Sequence, residues 1–203
     1  LKALGVHQAT AFNLEADDLA AMLADVSARK GHEVRLITRD RDWQQMVQPG
    51  VKWYDHMTHA RISAKNFAEE TGYADRFVFS EAKALQGDAS DNIPGVGGIG
   101  EGRAKILFEH WPNVAAFLAD PDPVATAGKL PKPLRDFHSD KEKQAAFDRN
   151  IKLMDLTRPE NLPRPENMKV EKGEFDIEAF STVCKELGFH SILNDLQNFT
   201  QPF

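Results

Sequence analysis

The sequence predicts an α/β fold, with a mostly parallel central sheet flanked by helices and followed by a helical region. Short apolar runs alternate with amphipathic helical stretches over the first third of the chain, and helical patterns dominate after Ser63. A glycine-rich loop joins two of those later helices. Strands that alternate with helices are typical of parallel sheets. We therefore divide the chain into an α/β core, residues 1–62, and a helical region, residues 63–203, and expect one continuous structural domain.

The first region alternates helices with short strands. Its predicted elements are a closing helical turn at Leu1–Gly5, a strand at Val6–Phe12, a helix at Glu15–Arg29, a strand at Val34–Ile37, a helical turn at Trp43–Val47 and a strand at Val51–Asp55. In the first long helix, Leu19, Leu23 and Val26 share one apolar face. The acidic stretch TRDRDW follows a predicted strand, and open α/β sheets place their sites at the C-terminal ends of strands.

After Ser63 the pattern becomes helical. The predicted elements are helices at Ala64–Thr71, Ser80–Gln86, Arg103–His110 and Val114–Leu118, a loop over residues 120–135, a long helix at Ser139–Leu153, and closing helices at Ile177–Leu187 and Ile192–Phe199. Pro159, Pro163 and Pro165 predict an extended connector. Residues 80–110 contain two of these helices and the glycine-rich hairpin between them.

Composition restricts the class of protein. The chain has 203 residues, of which 41% are hydrophobic and 28% charged, as is ordinary for a globular protein with a real core. Its apolar runs are shorter than a membrane span, and the sequence shows no signal-peptide pattern. Cys184 is the single cysteine, which excludes internal disulfides and thiolate metal sites. A cytoplasmic location is therefore expected.

Acidic residues account for the net charge of −6 and fall into clusters. The clustered carboxylates are Glu15, Asp17, Asp18, Asp40, Asp42, Asp88 and Asp91. Without these seven, 31 − 7 = 24 acidic residues remain against 25 basic ones. If the clusters hold divalent cations, the remaining surface is free to approach phosphate.

Each acidic cluster has an unremarkable interpretation when taken alone. LEADD fits a solvated first helical turn, TRDRDW fits a polar loop, and GDASD fits ordinary turn chemistry. All three lie at the edge of a predicted element, and together they favour one shared cation site. Oxygen-only ligands suit Mg²⁺ or Mn²⁺.

The stretch GDASDNIPGVGGIGEGRAK, from Gly87 to Lys105, contains the densest glycine pattern in the chain. Glycine permits positive φ and a close approach of the backbone to a ligand, and Pro94 favours a turn. A hairpin between two helices can direct consecutive N–H groups at a phosphate, assisted by the dipole of the second helix. The pattern therefore predicts a phosphate-binding hairpin.

LEADD, TRDRDW and GDASDNIPGVGGIG closely resemble the motifs of the 5′-nuclease family. This family includes flap endonucleases, phage 5′-3′ exonucleases and the N-terminal domain of bacterial DNA polymerase I. The resemblance extends over essentially the whole chain and implies a PIN-like 5′-nuclease fold. It implies that the seven carboxylates are the catalytic and metal-binding residues, with Glu15, Asp17 and Asp18 serving mainly one of two Mg²⁺ or Mn²⁺ ions. Asp40, Asp42, Asp88 and Asp91 would serve mainly the other.

The resemblance also assigns roles within the hairpin, which it identifies as a helix–three-turn–helix. Backbone carbonyls near Ile93, Val96 and Ile99 are implied to hold a monovalent cation, usually K⁺, beside a DNA phosphate. The implied DNA contacts are Gly95, Gly97, Gly98, Gly100, Arg103 and Lys105. The family commonly has Pro-Lys after Gly-Ile-Gly, whereas this chain has Glu101 and Gly102. Phosphate contacts are therefore expected to be weaker or shifted here.

The implied function is a structure-specific 5′ nuclease that hydrolyses DNA in replication or repair, on branched or 5′-flap duplexes without sequence preference. The family begins earlier than Leu1, with a first strand that carries a metal-binding aspartate and with a helical arch. We therefore expect an N-terminal segment or a separate chain to complete the fold. Exonuclease and flap cleavage both remain open. The alternatives are a non-catalytic duplex-binding module and a Mg²⁺-dependent nuclease of a related single-strand-cleaving fold.

Overall fold

The computed structural model describes residues 1–12, 14–158 and 168–202. They form two compact units, Leu1–Leu19 with Pro163–Phe203, and Ala20–Leu162. The boundary predicted at residue 62 stays a prediction. The connector predicted around Pro159, Pro163 and Pro165 lies outside the described residues. Within the part that is described, no helix is long and apolar enough to cross a membrane.

The larger unit contains a three-stranded sheet. The sheet consists of β2 (Val34–Ile37), β3 (Val51–Tyr54) and β4 (Arg61–Ile62), in that order. Strands β2 and β3 are parallel, with Leu36 opposite Trp53, and β3 and β4 are antiparallel. Leu36 and Trp53 are both buried, because alternate residues of a strand point to the same face.

Helices complete the larger unit. Helix α1 (Ala16–Arg29) precedes β2, and a 3-10 helix (Asp42–Met46) follows it. The hairpin strands are β5 (Gly87–Asp88) and β6 (Ile93–Pro94). The other helices are α2 (Phe67–Thr71), α3 (Arg76–Gln86), α4 (Glu101–His110), α5 (Val114–Ala119), α6 (Pro123–Ala127), α7 (Lys132–Ser139) and α8 (Lys141–Met154). Helix α3 packs against α4, α8 and the 3-10 helix. Asp75 is the N-cap residue of α3, and its side chain accepts hydrogen bonds from Phe77 N and Val78 N.

Among its described residues, the smaller unit contains a two-stranded antiparallel pair, the first turn of α1 and three further helices. Its elements are β1 (Gln8–Thr10), β7 (Lys169–Glu171), α9 (Ile177–Glu186), α10 (His190–Asn194) and α11 (Leu196–Thr200). A small core of Leu4, Phe180 and Cys184 lies within it. The burial of Cys184 agrees with the core position expected of it. Leu4 N donates to the Leu1 carbonyl at 2.9 Å and Gly5 N donates to the Lys2 carbonyl at 3.0 Å, so the predicted turn at Leu1–Gly5 is present, and Gly5 has the expected positive φ of 76°. Leu4 also forms a bridge to Phe175.

The predicted α/β content is present, and β2 occurs with the predicted bounds. The mostly parallel central sheet is not confirmed: among the described residues, the sheet has one parallel and one antiparallel strand pair. The segment predicted as the first strand contains β1, which pairs with β7 and not with this sheet. Strand pairing is a non-local property, and sequence periodicity identifies strands without identifying their partners.

The loop predicted over residues 120–135 is wrong because α6 and the start of α7 lie there. Two of the prolines that suggested a loop, Pro123 and Pro133, stand in the first turn of a helix, where the missing N–H of proline is tolerated. Pro123 follows Asp122, whose carboxylate accepts a hydrogen bond from Ala125 N at 3.0 Å. The single long helix predicted at Ser139–Leu153 also begins later, since Asp140 caps α8.

Two buried polar side chains connect the elements around α3. Gln45 donates from Nε2 to the Met154 carbonyl at 3.0 Å, and its Oε1 accepts from Leu156 N at 3.1 Å. Asn150 is fully buried and donates from Nδ2 to the carbonyls of Ala84 and Pro94, both at 2.9 Å. Asn150 of α8 therefore fixes the end of α3 and the hairpin strand β6 to the core.

We predict that Asn150→Ala destabilises the protein by at least about 2 kcal/mol, because two inward-facing carbonyls lose their donor. The measurement is the free energy of unfolding from urea denaturation. Asp148→Ala, on the exposed face of the same helix, is the matched control and should change stability by less than about 0.5 kcal/mol. Equal stabilities for the two variants would contradict the role assigned to Asn150.

Candidate metal centre and glycine-rich hairpin

Three carboxylates from two separate segments meet near the end of α3. One oxygen from each of Asp42, Asp88 and Asp91 lies within 4.8 Å of the other two. Asp42 begins the 3-10 helix that follows β2, whereas Asp88 and Asp91 lie in the hairpin after α3. The tertiary structure therefore joins part of the second acidic cluster to the third.

Asp42 is positioned by a hydrogen-bonded turn after β2. Asp40 N donates to Thr38 Oγ1 at 3.0 Å, and Asp42 N donates to Asp40 Oδ1 at 2.8 Å. From β3, Trp53 Nε1 donates to the Asp40 carbonyl at 2.9 Å. The Asp40 carboxylate thus shapes the turn, and the structure does not bring it into the group of three. Its role as a metal ligand stays a prediction.

Asp88 is held by its neighbour Ser90 in an Asx-type turn. Its Oδ1 accepts a hydrogen bond from Ser90 N at 2.8 Å and another from the Ser90 hydroxyl. These bonds, the hydroxyl first, lower the pKa of Asp88 below its usual value, with Lys83 adding to the effect. By linkage, this carboxylate stabilises the fold above its unfolded-state pKa, and the contribution is lost as the pH falls through the lowered folded value.

Lys83, in the last turn of α3, contacts two of the three carboxylates. Its Nζ lies 2.8 Å from Asp42 Oδ1 and 3.3 Å from Asp88 Oδ2. Burial acts to lower the pKa of Lys83, but the hydrogen bond to Asp42 and the charges of Asp42 and Asp88 outweigh it and raise the pKa. The three carboxylates and the Lys83 ammonium together have a formal net charge of −2.

The donor set fits a hard divalent cation. All three candidate ligands are carboxylate oxygens, which Mg²⁺ and Mn²⁺ prefer. The ligand oxygens of one octahedral Mg²⁺ ion lie roughly 3 to 4 Å apart, because each is about 2.1 Å from the ion. Oxygens already within 4.8 Å of one another need only a small rearrangement to reach that spacing.

Glu15, Asp17 and Asp18 lie in the smaller unit, at the start of α1. Asp18 Oδ2 accepts a hydrogen bond from Glu15 N at 3.2 Å, as a carboxylate near a helix N-terminus commonly does. The other predicted carboxylates lie in the larger unit. The convergence of all seven at one site therefore stays a prediction.

Close backbone contact requires glycine at two hairpin positions. A Cβ on Gly95 would lie 2.2 Å from the Gln86 carbonyl oxygen, and one on Gly87 would lie 2.3 Å from Gly95 N. Val96 N donates to the Leu85 carbonyl at 2.8 Å, and the side chains of Val96 and Ile99 are buried. The glycines thus allow the hairpin backbone to lie against the end of α3, and the buried side chains of Val96 and Ile99 fix the hairpin to the core.

The outer part of the hairpin is exposed at Gly97, Gly98 and Gly100, as a backbone contact with DNA requires. The Val96 carbonyl already accepts a hydrogen bond from Ile99 N at 2.9 Å within the turn. The monovalent-cation role predicted for the carbonyls of Ile93, Val96 and Ile99, and the DNA role predicted for these glycines, remain predictions.

Both basic residues predicted to contact DNA also make contacts within the chain. Arg103 Nη1 donates to the Gly98 carbonyl at 2.6 Å, so Arg103 supports the hairpin. Lys105 Nζ lies 2.7 Å from Glu101 Oε1, and this pair lowers the pKa of Glu101. The Glu101 carboxylate occupies the start of α4, where an approaching phosphate would meet it.

Three residues of the site were not identified by sequence reasoning. Lys83 lies one helical turn before the GDASD motif, and that spacing is the signal that could have identified it. Ser90 stands between two of the predicted aspartates, as serines in Asx turns often do. Asn150 lies on the apolar stripe of α8 between Phe147 and Met154, and a lone asparagine on such a stripe indicates a buried hydrogen-bonding role.

The chain is similar to known proteins in both sequence and structure. A family model described as 5′-3′ exonuclease, N-terminal resolvase-like domain, matches residues 1–72. The predicted resemblance to 5′-3′ exonucleases is thereby confirmed.

Relatives at the sequence level are DNA polymerases I. The enzyme of Thermus filiformis is 32% identical over 198 residues, which are 95% of this chain and 22% of that protein. The enzyme of Bacillus caldotenax is 31% identical over 92% of this chain and 21% of its own length. The chain thus spans about a fifth of the length of these relatives.

Similar solved structures come from bacteriophage T5. A T5 protein co-crystallised with metal ions has a TM-score of 0.61 and 27% identity, over 73% of this chain and 52% of that one. The T5 flap endonuclease in a pseudo-enzyme–product complex with DNA and metal ions has a TM-score of 0.59 and 27% identity, over 71% of this chain and 50% of that one.

We predict that Asp42→Asn weakens Mn²⁺ binding at least about tenfold, or about 1.4 kcal/mol, because the variant loses one of three converging anionic ligands. Asp40→Asn keeps the Oδ1 acceptor of the turn and should have the smaller effect. Isothermal titration calorimetry with Mn²⁺ alone measures both. A larger loss for Asp40→Asn would show that the turn residue, and not Asp42, is the principal ligand.

Proposed function

We propose that this chain is the metal-binding and DNA-binding part of a structure-specific 5′ nuclease that hydrolyses DNA phosphodiesters with two divalent metal ions. The observation that supports this best is the meeting of Asp42, Asp88 and Asp91 beside a glycine-rich hairpin. A pure DNA-binding module would gain affinity by losing carboxylates near phosphate. The relatives support a role in DNA replication or repair, as the polymerase names indicate.

Asp42, Asp88 and Asp91 are the proposed ligands of one Mg²⁺ or Mn²⁺ ion. Glu15, Asp17 and Asp18 are proposed to serve mainly a second ion, and Asp40 to support the first. Such ions, when bound, activate a water molecule and stabilise the leaving oxygen of a phosphodiester. The chain itself supplies anionic oxygens at fixed positions: the Asp40 turn orients Asp42, and Ser90 orients Asp88.

We infer that the hairpin acts as a helix–three-turn–helix that binds the DNA backbone. Its exposed glycines allow close approach of phosphates, and backbone amides contact phosphates without reading base sequence. K⁺ is the proposed ligand of the carbonyls near Ile93, Val96 and Ile99. The proposed substrates are branched or 5′-flap duplexes, and the proposed location is the cytoplasm of a bacterium or a phage-infected cell.

The first test concerns DNA binding. Gly100 is the N-cap of α4, with φ −93° and ψ −175°, and a Cβ at this position would have no neighbouring atom within 4 Å, so Asp can replace it without strain. Aspartate is a good N-cap, so Gly100→Asp should keep or slightly raise the melting temperature. Its charge should nevertheless weaken binding to duplexes of every sequence, by roughly tenfold at low salt.

Ala125→Asp is the matched control, because it adds the same charge to an exposed helix outside the hairpin. Fluorescence anisotropy on several unrelated duplexes at increasing salt measures the affinities. Equal affinities for the two variants would place the DNA interface elsewhere, and discrimination among the duplexes would contradict backbone recognition.

The second test concerns hydrolysis of a 5′-flap substrate. We expect weak Mg²⁺-dependent cleavage by the 203-residue chain when Mg²⁺ is added, and none when EDTA replaces the Mg²⁺. Asp88→Asn should abolish the cleavage, because it removes an anionic ligand while leaving an acceptor for Ser90. DNA binding without cleavage under both conditions would support the non-catalytic module instead.

A further inference from the structure

Lys83 places a positive charge inside a site that is itself proposed to bind cations. Its ammonium lies between carboxylates that are 46 positions apart in the sequence, Asp42 and Asp88, at 2.8 and 3.3 Å. The Lys83 side chain is 20% exposed, and the side chains of Asp42 and Asp88 are 21% and 17% exposed. Partly buried charges at these distances interact more strongly than exposed surface pairs do.

We propose that Lys83 is a built-in counter-ion of the metal centre, which holds Asp42 and Asp88 together before a divalent ion binds and competes with that ion for the same oxygens. This inference rests on the proposed metal-binding function. Lys83 is thus a positioning residue that sets the affinity of metal binding.

Competition follows from the oxygens available on Asp88. Its Oδ1 accepts two hydrogen bonds from Ser90, whereas its Oδ2 faces the Lys83 ammonium. The oxygen left for a metal ion is therefore the one that Lys83 contacts. An ammonium and a divalent cation near the same oxygen also repel each other, so each weakens the binding of the other.

Lys83 has room to withdraw when an ion binds. It lines a cavity of 550 Å³ that is also bordered by Gln86, Glu70 and Glu101. Besides Lys83, the lining contains four carboxylates (Asp55, Glu69, Glu70 and Glu101) and three cations (Arg39, Arg41 and Lys105), so its remaining formal charge is −1 and it can accept one further positive charge. Rotation of the flexible lysine side chain into the cavity would therefore leave Asp42 and Asp88 free without unfolding α3.

The proposal predicts two effects of opposite sign for Lys83→Met, which keeps much of the side-chain volume and removes the charge. In EDTA, the variant should melt at a lower temperature than the wild type, since three neighbouring carboxylates then repel one another. Its affinity for Mn²⁺ should be about tenfold higher, because the competing charge is gone. A purely structural ion pair would produce the first effect without the second.

The experiment measures melting temperature in EDTA and Mn²⁺ affinity by calorimetry, with Mn²⁺ alone as the probe. Lys52→Met is the matched control, since it removes an exposed lysine that pairs with Glu33 at 3.2 Å outside the carboxylate group. It should leave the Mn²⁺ affinity unchanged. Lys83→Arg, which keeps the charge, should bind Mn²⁺ no more tightly than the wild type.

The outcomes separate this inference from the proposed function. Tighter Mn²⁺ binding by Lys83→Met, with wild-type affinity for the other two variants, supports the counter-ion role. Equal or weaker binding by Lys83→Met overturns it, although the metal site itself stands. If Lys83→Met fails to fold in EDTA, refolding by Mn²⁺ supports the role and failure to refold contradicts it. Absence of Mn²⁺ binding by the wild type overturns the metal site, and the inference with it.

Discussion

Oxygens of Asp42, Asp88 and Asp91 lie within 4.8 Å of one another, where negative charges repel. The fold offsets this repulsion with three kinds of contact, each made by a residue next to the carboxylates. Lys83 supplies a positive charge, Ser90 donates two hydrogen bonds to Asp88, and the turn at Asp40 fixes the backbone before Asp42. These contacts keep the carboxylates together in a geometry that a divalent cation can occupy. Preorganised ligands of this kind bind metal without a large rearrangement of the chain.

The rigidity of the site depends on elements that are remote from it in the sequence. The 3-10 helix that starts at Asp42 is tied to the end of α8 by Gln45, whose amide bonds the backbone at Met154 and Leu156. Asn150 of α8 bonds both α3 and the hairpin. Both side chains are buried, where each unpaired backbone group would cost about 1 to 3 kcal/mol. Helix α8 therefore supports both segments that supply the carboxylates.

The hairpin illustrates a second kind of constraint, which is steric. Gly95 passes so close to the Gln86 carbonyl that no side chain fits between them. Farther out, Gly100 and Gly102 have open space around them, so their lack of a side chain is not required by packing within the chain. The inner glycines thus shape the loop, whereas the outer ones leave its surface accessible. A DNA backbone is the ligand that we propose for that surface.

Local pattern was sufficient for several elements and misleading for others. The bounds of β2 follow from a short apolar run, and α1 follows from helical spacing, because both signals are contained within one segment. The predicted apolar face of α1 is wrong in part, since Leu19 is buried but Leu23 and Val26 are 41% and 48% exposed. Prolines near α6 and α7 suggested a loop, because proline is common in loops. Proline is equally compatible with the first turn of a helix, and the proline pattern alone does not distinguish the two. A mostly parallel sheet could not be derived from the strands alone, because pairing is decided by contacts between distant segments.

The sequence by itself determined the residue types of the site, the position of the glycine hairpin and the relationship to 5′ nucleases. Acidic motifs and glycine spacing are local, and family resemblance follows from them. Only the tertiary structure decided that Asp42 joins Asp88 and Asp91, that the Asp40 carboxylate holds a turn, and that Lys83 lies between two of the carboxylates. The physical reason is that charges interact through space: their neighbours are set by how α3, α8 and the strand ends pack, which no local spacing in the sequence encodes.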